Sequence, residues 1–174
     1  MTDNQTGPEA VPATMSLQKF MTTEIIAAAL INGAFGILFG WLIVRGVDAV
    51  PFSGAGGIVI DVLATAFIIG LLLTLIVTPI LRGRIRKGGM PNIAAASLPA
   101  PLGLLPQNTF LRGAVMGLGG MVAVAPIILG LFWAAGTAQL SPGNFIWIKG
   151  VYGAVFGVVF TPLALLPMLA GNIK

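Results

Sequence analysis

Hydrophobic positions along this chain gather into four long runs, Phe20 to Val44, Gly57 to Leu81, Phe110 to Gly136 and Phe145 to Ala170, separated by polar, glycine-rich or proline-rich stretches. Each run is 25 to 27 residues, which at roughly 1.5 Å rise per residue reaches about 38–40 Å and crosses a hydrocarbon core of about 30 Å with some tilt. The pattern predicts an all-α integral membrane protein with four transmembrane helices, spanning about residues 20–44, 57–81, 110–136 and 145–170.

The polar stretches divide the rest. Residues 1–18 are polar with glycine and proline and lack the basic region and small-residue cleavage site of a secretory signal, so they are expected to be a disordered, retained tail. Met15 and Met21 are possible starts besides Met1. Residues 19–174 then form a single membrane domain, with a connection over 83–109 between the second and third spans. The second half of that connection, SLPAPLGLLPQNTF, is too apolar for a free linker and too rich in proline for a helix. It is expected to lie along the membrane surface, with Asn108 or Thr109 capping the third span. Gly54 to Gly57 and Ser141-Pro142-Gly143 mark turns at the other side.

Composition narrows the chemistry. With 57% hydrophobic and 8% charged residues the chain cannot cover an apolar core with a wetted surface, and lipid must be its solvent. Cysteine and histidine are absent, which removes disulfides, thiolate nucleophiles, the usual zinc sites and the commonest proton shuttle. No metal or cofactor is expected, no phosphate-binding loop motif occurs, and five scattered acids do not supply two-metal chemistry. The chain is therefore not expected to be an enzyme.

Charge sets the orientation. Lys19, Arg82, Arg84, Arg86, Lys87, Arg112 and Lys174 fall on one side and Arg45 and Lys149 on the other, so the positive-inside rule puts both termini and the central connection in the cytoplasm. Trp41, Trp133 and Trp147 all fall at the opposite ends of their spans, where amphipathic rings prefer the interface. The expected location is a bacterial inner membrane. The run Arg82, Arg84, Arg86 and Lys87 reads as a topology anchor that attracts anionic lipid headgroups, and it lacks the interleaved aromatics that nucleic-acid binding would use.

Small residues recur at four-residue spacing inside the spans: Gly36 and Gly40, Ala66 and Gly70, Gly113 and Gly117, Gly153 and Gly157. Each pair lies on one helix face and admits another backbone closely, either within the bundle or in a homo-oligomer or membrane-protein partner. A short internal echo accompanies them. Asn32-Gly33-Ala34 resembles Arg112-Gly113-Ala114, and Thr78-Pro79 resembles Thr161-Pro162, at offsets of 80 and 83 residues. Such an echo is compatible with two like-oriented helical hairpins.

Four polar residues form the candidate intramembrane site: Glu24, Asn32, Asp61 and Lys149. Asn32 lies near the middle of its span, where an unpaired amide would cost several kcal/mol, and an interhelical hydrogen bond is the simplest remedy. Asp61 and Lys149 lie about one turn inside the same ends of their spans and can pair, though Asp61 can also meet Arg45, and Lys149 can extend outward to water. Pro126, after the glycines at 117, 119 and 120, is placed to break the third span. Two functional classes follow. The favoured one is a non-catalytic accessory, assembly or structural component that packs through its glycine-rich faces. The alternative is a small transporter or channel, working as a homo-oligomer with Asp61 and Asn32 in its pathway.

Overall fold

The computed structural model describes residues 16–88, 90–91, 93–94 and 98–171, and the chain is mostly helical. Most of the expected tail, the starts at Met1 and Met15, and Lys174 lie outside the described residues. In chain order the elements are α1 (Leu17–Ile43), β1 (Val50–Pro51), α2 (Ile58–Lys87), α3 (Ala100–Gly103), α4 (Thr109–Ala123), α5 (Ala125–Ala134), β2 (Gln139–Leu140) and α6 (Pro142–Leu169). Among the described residues, four helical stretches are long and apolar enough to cross a membrane: Leu17–Ile43, Ile58–Lys87, Thr109–Ala134 and Pro142–Leu169.

Local chemistry sets the ends of these helices, and it moves several expected boundaries. Ser16 caps α1, its Oγ accepting from the Lys19 N–H at 3.3 Å, so that helix starts three residues before the hydrophobic run. Asn108 caps α4, accepting from the Leu111 N–H at 3.1 Å. Ser141 caps α6 through the Asn144 N–H at 3.4 Å, so Ser141-Pro142-Gly143 is a helix start rather than a free turn. Proline at the first helical position loses no bond there. The same tolerance explains α3, a single helical turn where the proline content predicts none: Pro101 occupies its first turn.

The largest departure is at α2, which continues to Lys87 instead of stopping at Leu81. Pro79 interrupts one backbone bond without ending the helix, and Arg84, Arg86 and Lys87 are good helix formers that offset the dipole at a C-terminus. The basic run is therefore helical, and the connection begins at Gly88 rather than residue 83. The third run is split at Val124, where Pro126 supplies no N–H and the Ile127 N–H bonds back to the Val124 carbonyl at 3.2 Å. It ends at Ala134, because Gly136 takes a φ of 65° and the N–H of Thr137 reaches the Phe132 carbonyl at 3.0 Å, closing a Schellman motif.

Packing places α6 at the centre. It carries α1 on one flank and meets α2 on another, while α4 packs against α2. These approaches are very close. A Cβ built on Gly36 would lie 2.5 Å from the Lys149 carbonyl oxygen, one on Gly153 would lie 2.8 Å from that of Asn32, and one on Gly157 would lie 2.7 Å from that of Ala28. Between α2 and α4, a Cβ on Gly70 would sit 2.6 Å from the Gly117 Cα, one on Gly117 2.6 Å from the Phe67 carbonyl oxygen, and one on Gly113 3.0 Å from that of Leu71. Ala66 is fully buried in the main core with Ile58, Val62, Phe156 and Phe160. A smaller cluster of Phe20, Leu81, Leu165, Met168 and Leu169 closes the basic end, and Met90 and Ile93 pack on it.

The expectation of purely helical structure needs one addition. β1 and β2 pair antiparallel, Val50 with Leu140 and Pro51 with Gln139, and so join the α1–α2 and α5–α6 connections at the tryptophan end. The Phe52 N–H extends the ribbon to the Ala138 carbonyl at 2.9 Å.

Gly36→Ala should force α1 away from α6 and cost about 1–3 kcal/mol, the range for overpacking a tight contact. Gly83→Ala, where a Cβ meets nothing within 4 Å, should be neutral or stabilising. Unfolding titrations of both variants in detergent would check this.

Candidate functional site

Near the tryptophan end, α2 and α6 bring together four polar side chains. Asp61 lies in the first turn of α2 with Thr65 one turn on, and Lys149 and Tyr152 share a face of α6 at a three-residue spacing. The Lys149 ammonium donates to both carboxylate oxygens of Asp61, at 2.6 and 2.7 Å, to the Thr65 hydroxyl at 2.9 Å and to the Tyr152 hydroxyl oxygen at 3.3 Å. Tyr152 in turn donates its proton to the second Asp61 oxygen.

The lysine stem reaches this point across glycine. A Cβ on Gly40 would touch the Lys149 Cδ at 3.3 Å, so α1 leaves room for the stem and covers it. The ammonium also stands 5.4 Å from the Tyr152 ring centroid and 5.8 Å from that of Phe145, within cation–π range. The side chain of Lys149 is 5% exposed and that of Asp61 13%, which makes this a desolvated pair with its bonds satisfied. Removing one member of such a pair leaves an uncompensated charge and is strongly destabilising.

The four expected site residues do not form one site. Asp61 and Lys149 meet. Arg45 instead stacks over the Trp41 ring at 3.6 Å, and Lys149 turns inward rather than out to water. Glu24 lies at the other end of the bundle, 2.5 Å from Arg84. Asn32 directs its Nδ2 group to the Ala28 carbonyl of its own helix at 2.8 Å, so the amide donor is satisfied within α1 rather than across to a neighbour. The nearby backbone of α6 at Gly157 is close enough that an added Cβ would come within 3.1 Å of that nitrogen.

The basic run also divides by role. Arg84 holds Glu24, and Arg86 and Lys87 are exposed at the end of α2. Arg82 is half-buried. Arg112, grouped in the sequence with the charges of the connection, is in the first turn of α4 and wholly buried. Its Nη2 donates to the Thr78 hydroxyl at 2.7 Å.

Two participants escaped the sequence pattern. Tyr152, the single tyrosine, is signalled by its spacing from Lys149. Arg112 is signalled by its place just after a capping Asn108, where a cation opposes the helix dipole and needs a reason to be there.

Other surfaces offer less chemistry. A shallow apolar depression of about 260 Å³ on the outer side of α1 is lined by Ile31, Ala34, Phe35 and Leu38. Among the described residues, no three His, Cys, Asp or Glu side chains gather where a metal ion would be held. Comparison with protein-family models, with curated proteins and with solved structures finds no match.

Asp61→Ala and Lys149→Ala should each destabilise the protein by about 3–5 kcal/mol, while Asp61→Leu with Lys149→Met should recover most of the loss. A double-mutant cycle read by denaturant unfolding would measure the coupling. Glu24→Gln, at a more exposed pair, should cost less than about 1 kcal/mol, and the cost should shrink as salt is raised.

Proposed function

We propose that this chain is a non-catalytic multi-pass component of a bacterial inner membrane, an accessory, assembly or structural unit with both termini in the cytoplasm. The observation that carries the reading is the way the intramembrane polar groups are spent. Asp61, Lys149, Thr65 and Tyr152 bond to one another, and Asn32 bonds to its own helix. A transport pathway through Asp61 and Asn32 would need both to face one passage. Asp61 is instead bonded to Lys149 and Tyr152, and Asn32 turns its amide to the Ala28 carbonyl of its own helix.

The orientation rests on charge and aromatic placement. Arg82, Arg84, Arg86 and Lys87 cluster at one end, suited to anionic headgroups on the cytoplasmic face, and Trp41, Trp133 and Trp147 mark the other. Association with a second copy or with another membrane protein would use outward faces, because the spaced glycines face this chain's own helices. The outer side of α1 is the broadest of these, with Leu30, Ile31, Phe35 and Phe39 at least half exposed.

The arrangement also favours an origin in two like-oriented hairpins. α1 lies on α6 as α4 lies on α2, the correspondence that a pseudo-twofold axis along the membrane normal would produce. The antiparallel β1–β2 pair obeys the same axis. Thr78 and Thr161, each followed by proline, both donate to the carbonyl four residues back, at 2.6 and 2.7 Å.

Purification of the tagged chain in mild detergent, sized by light scattering with co-purifying proteins identified by mass spectrometry, tests the reading. A stoichiometric membrane-protein partner is the expected result. A lone homo-oligomer that supports ion flux in liposomes, with flux lost in Asp61→Asn while folding is kept, would overturn it.

A further inference from the structure

The third span is split near its middle, since α4 ends at Ala123 and α5 begins at Ala125 within the stretch Thr109–Ala134. Pro79, Pro162 and Pro167 each remove one bond from a helix that continues past them. At Pro126 two successive carbonyls are affected. Pro126 has no N–H for the Val122 carbonyl, and the Ile127 N–H that would reach Ala123 in a continuous helix bonds to Val124 instead, at 3.2 Å. A helical carbonyl points towards the residue four places on. Here those residues, Pro126 and Ile127, are exposed, as are Val122 and Ala123 themselves, so the acceptors released from the ladder face out of the bundle.

The surface around the break differs from the internal faces of α4. Gly119, Val122, Ala123 and Pro126 share one side at three- and four-residue steps. A Cβ added to Gly119, or to Gly130 beyond the break, meets nothing within 4 Å, whereas Gly113, Gly117 and Gly120 are pressed against α2 and α6. The exposed side chains on either side of the break, Leu118, Val122, Ile127 and Leu131, are apolar, which suits a lipid or protein neighbour and not a water-filled passage. Lipid tails carry no donor, and non-helical backbone at this depth is tolerated where protein or water covers it. A second copy of the chain brings no donor either. Among the described residues away from the span ends, Asn32, Thr74, Thr78 and Thr161 bond to carbonyls of their own helices, and Thr65 and Tyr152 belong to the cluster at Lys149. Two copies meeting through this face would set acceptors against acceptors.

We propose that the outward face at the α4–α5 break docks a transmembrane helix of another membrane protein, one whose hydroxyl or amide side chain donates to the Val122 and Ala123 carbonyls. Gly119 lets that helix come close enough for the bond, and Leu118 and Leu131 supply apolar contact around it. Such docking presupposes that the chain assembles with another membrane protein, the reading given above, and adds the place and the chemistry of the contact.

The test uses the full chain, labelled at its N-terminus and reconstituted in phosphatidylcholine liposomes. It is titrated with a synthetic transmembrane helix of leucine and alanine that carries one central Gln, or Leu at the same place, and association is read by energy transfer. The Gln helix should bind about threefold to thirtyfold tighter, the size of one interhelical hydrogen bond in a membrane. Pro126→Ala, which returns an N–H to the Val122 carbonyl, should remove that preference while Tm stays the same or rises. Gly119→Leu should weaken binding of the Gln helix at least about tenfold, and Leu38→Ala on the outer side of α1 should leave it unchanged. If Pro126→Ala does not fold, Gly119→Leu decides, because its added side chain starts where nothing lies within 4 Å. Equal binding of the two helices, no binding of either, a preference kept in Pro126→Ala or binding kept in Gly119→Leu would overturn the proposal. Self-association of the chain that is lost in Gly119→Leu would also overturn it, by making the occupant a second copy. A co-purifying protein retained by both variants overturns the site and leaves the assembly reading standing, whereas its loss in both supports the two together. Absence of any co-purifying protein overturns the assembly reading, and the liposome titration still decides the site.

Discussion

Close approach of helix backbones is the constraint on which the rest of this structure depends. Lipid tails do not drive apolar helices together as water does, so contact must come from dispersion and polar interactions over surfaces that fit. In this chain the fit is made by glycines on facing helices: Gly36, Gly153 and Gly157 between α1 and α6, and Gly70, Gly113 and Gly117 between α2 and α4. Polar side chains take their positions from that spacing. The Lys149 stem runs over Gly40, and Arg112 is buried next to Gly113, where α4 lies against the Leu71 backbone.

The two ends of the bundle solve the problem of charge in lipid in opposite ways. At the tryptophan end an acid and a base cancel, and the Thr65 and Tyr152 hydroxyls complete their bonds, so the cluster is neutral and closed. Such a group fixes the register of α2 against α6 more than it adds net stability, since its desolvation offsets much of its attraction. At the basic end Arg112 is wholly buried with its Nη2 group held by the Thr78 hydroxyl, and Glu24 pairs with Arg84.

How far the sequence foretold this varies with the range of the interaction. The four spans were legible because the length of an apolar run is a local property that the bilayer reads directly. Helix ends were less so. The run of apolar residues stops at Leu81, but backbone hydrogen bonding does not, and α2 carries its arginines outward as helix. The burial of Arg112 depended on knowing that α4, capped by Asn108, lies against α2, a tertiary fact with only a faint local sign. For Asp61 and Lys149, similar depth in the two spans made contact possible, but depth alone does not rotate the helices. The rotation that turns Lys149 towards Asp61 rather than to water follows from which helix faces carry glycine. Asn32 shows the converse: an amide near the middle of a span suggested a neighbour, yet its own helix supplied an acceptor four residues back.

The pairing of α1 with α6 also bears on biosynthesis. Gly36 and Lys149, 113 residues apart in the sequence, meet backbone to backbone. Of the helices described, α1 is made before the others, yet its main neighbour is α6, made after them. Until α6 emerges, the small-residue face of α1 has only lipid or a helper protein against it, whereas α2 can dock with α4 as soon as the third span is inserted. Long-range closure of this kind is slow and leaves partial structures exposed. The nascent chain passes through a stage in which its second and third spans are a finished pair and its first is still waiting.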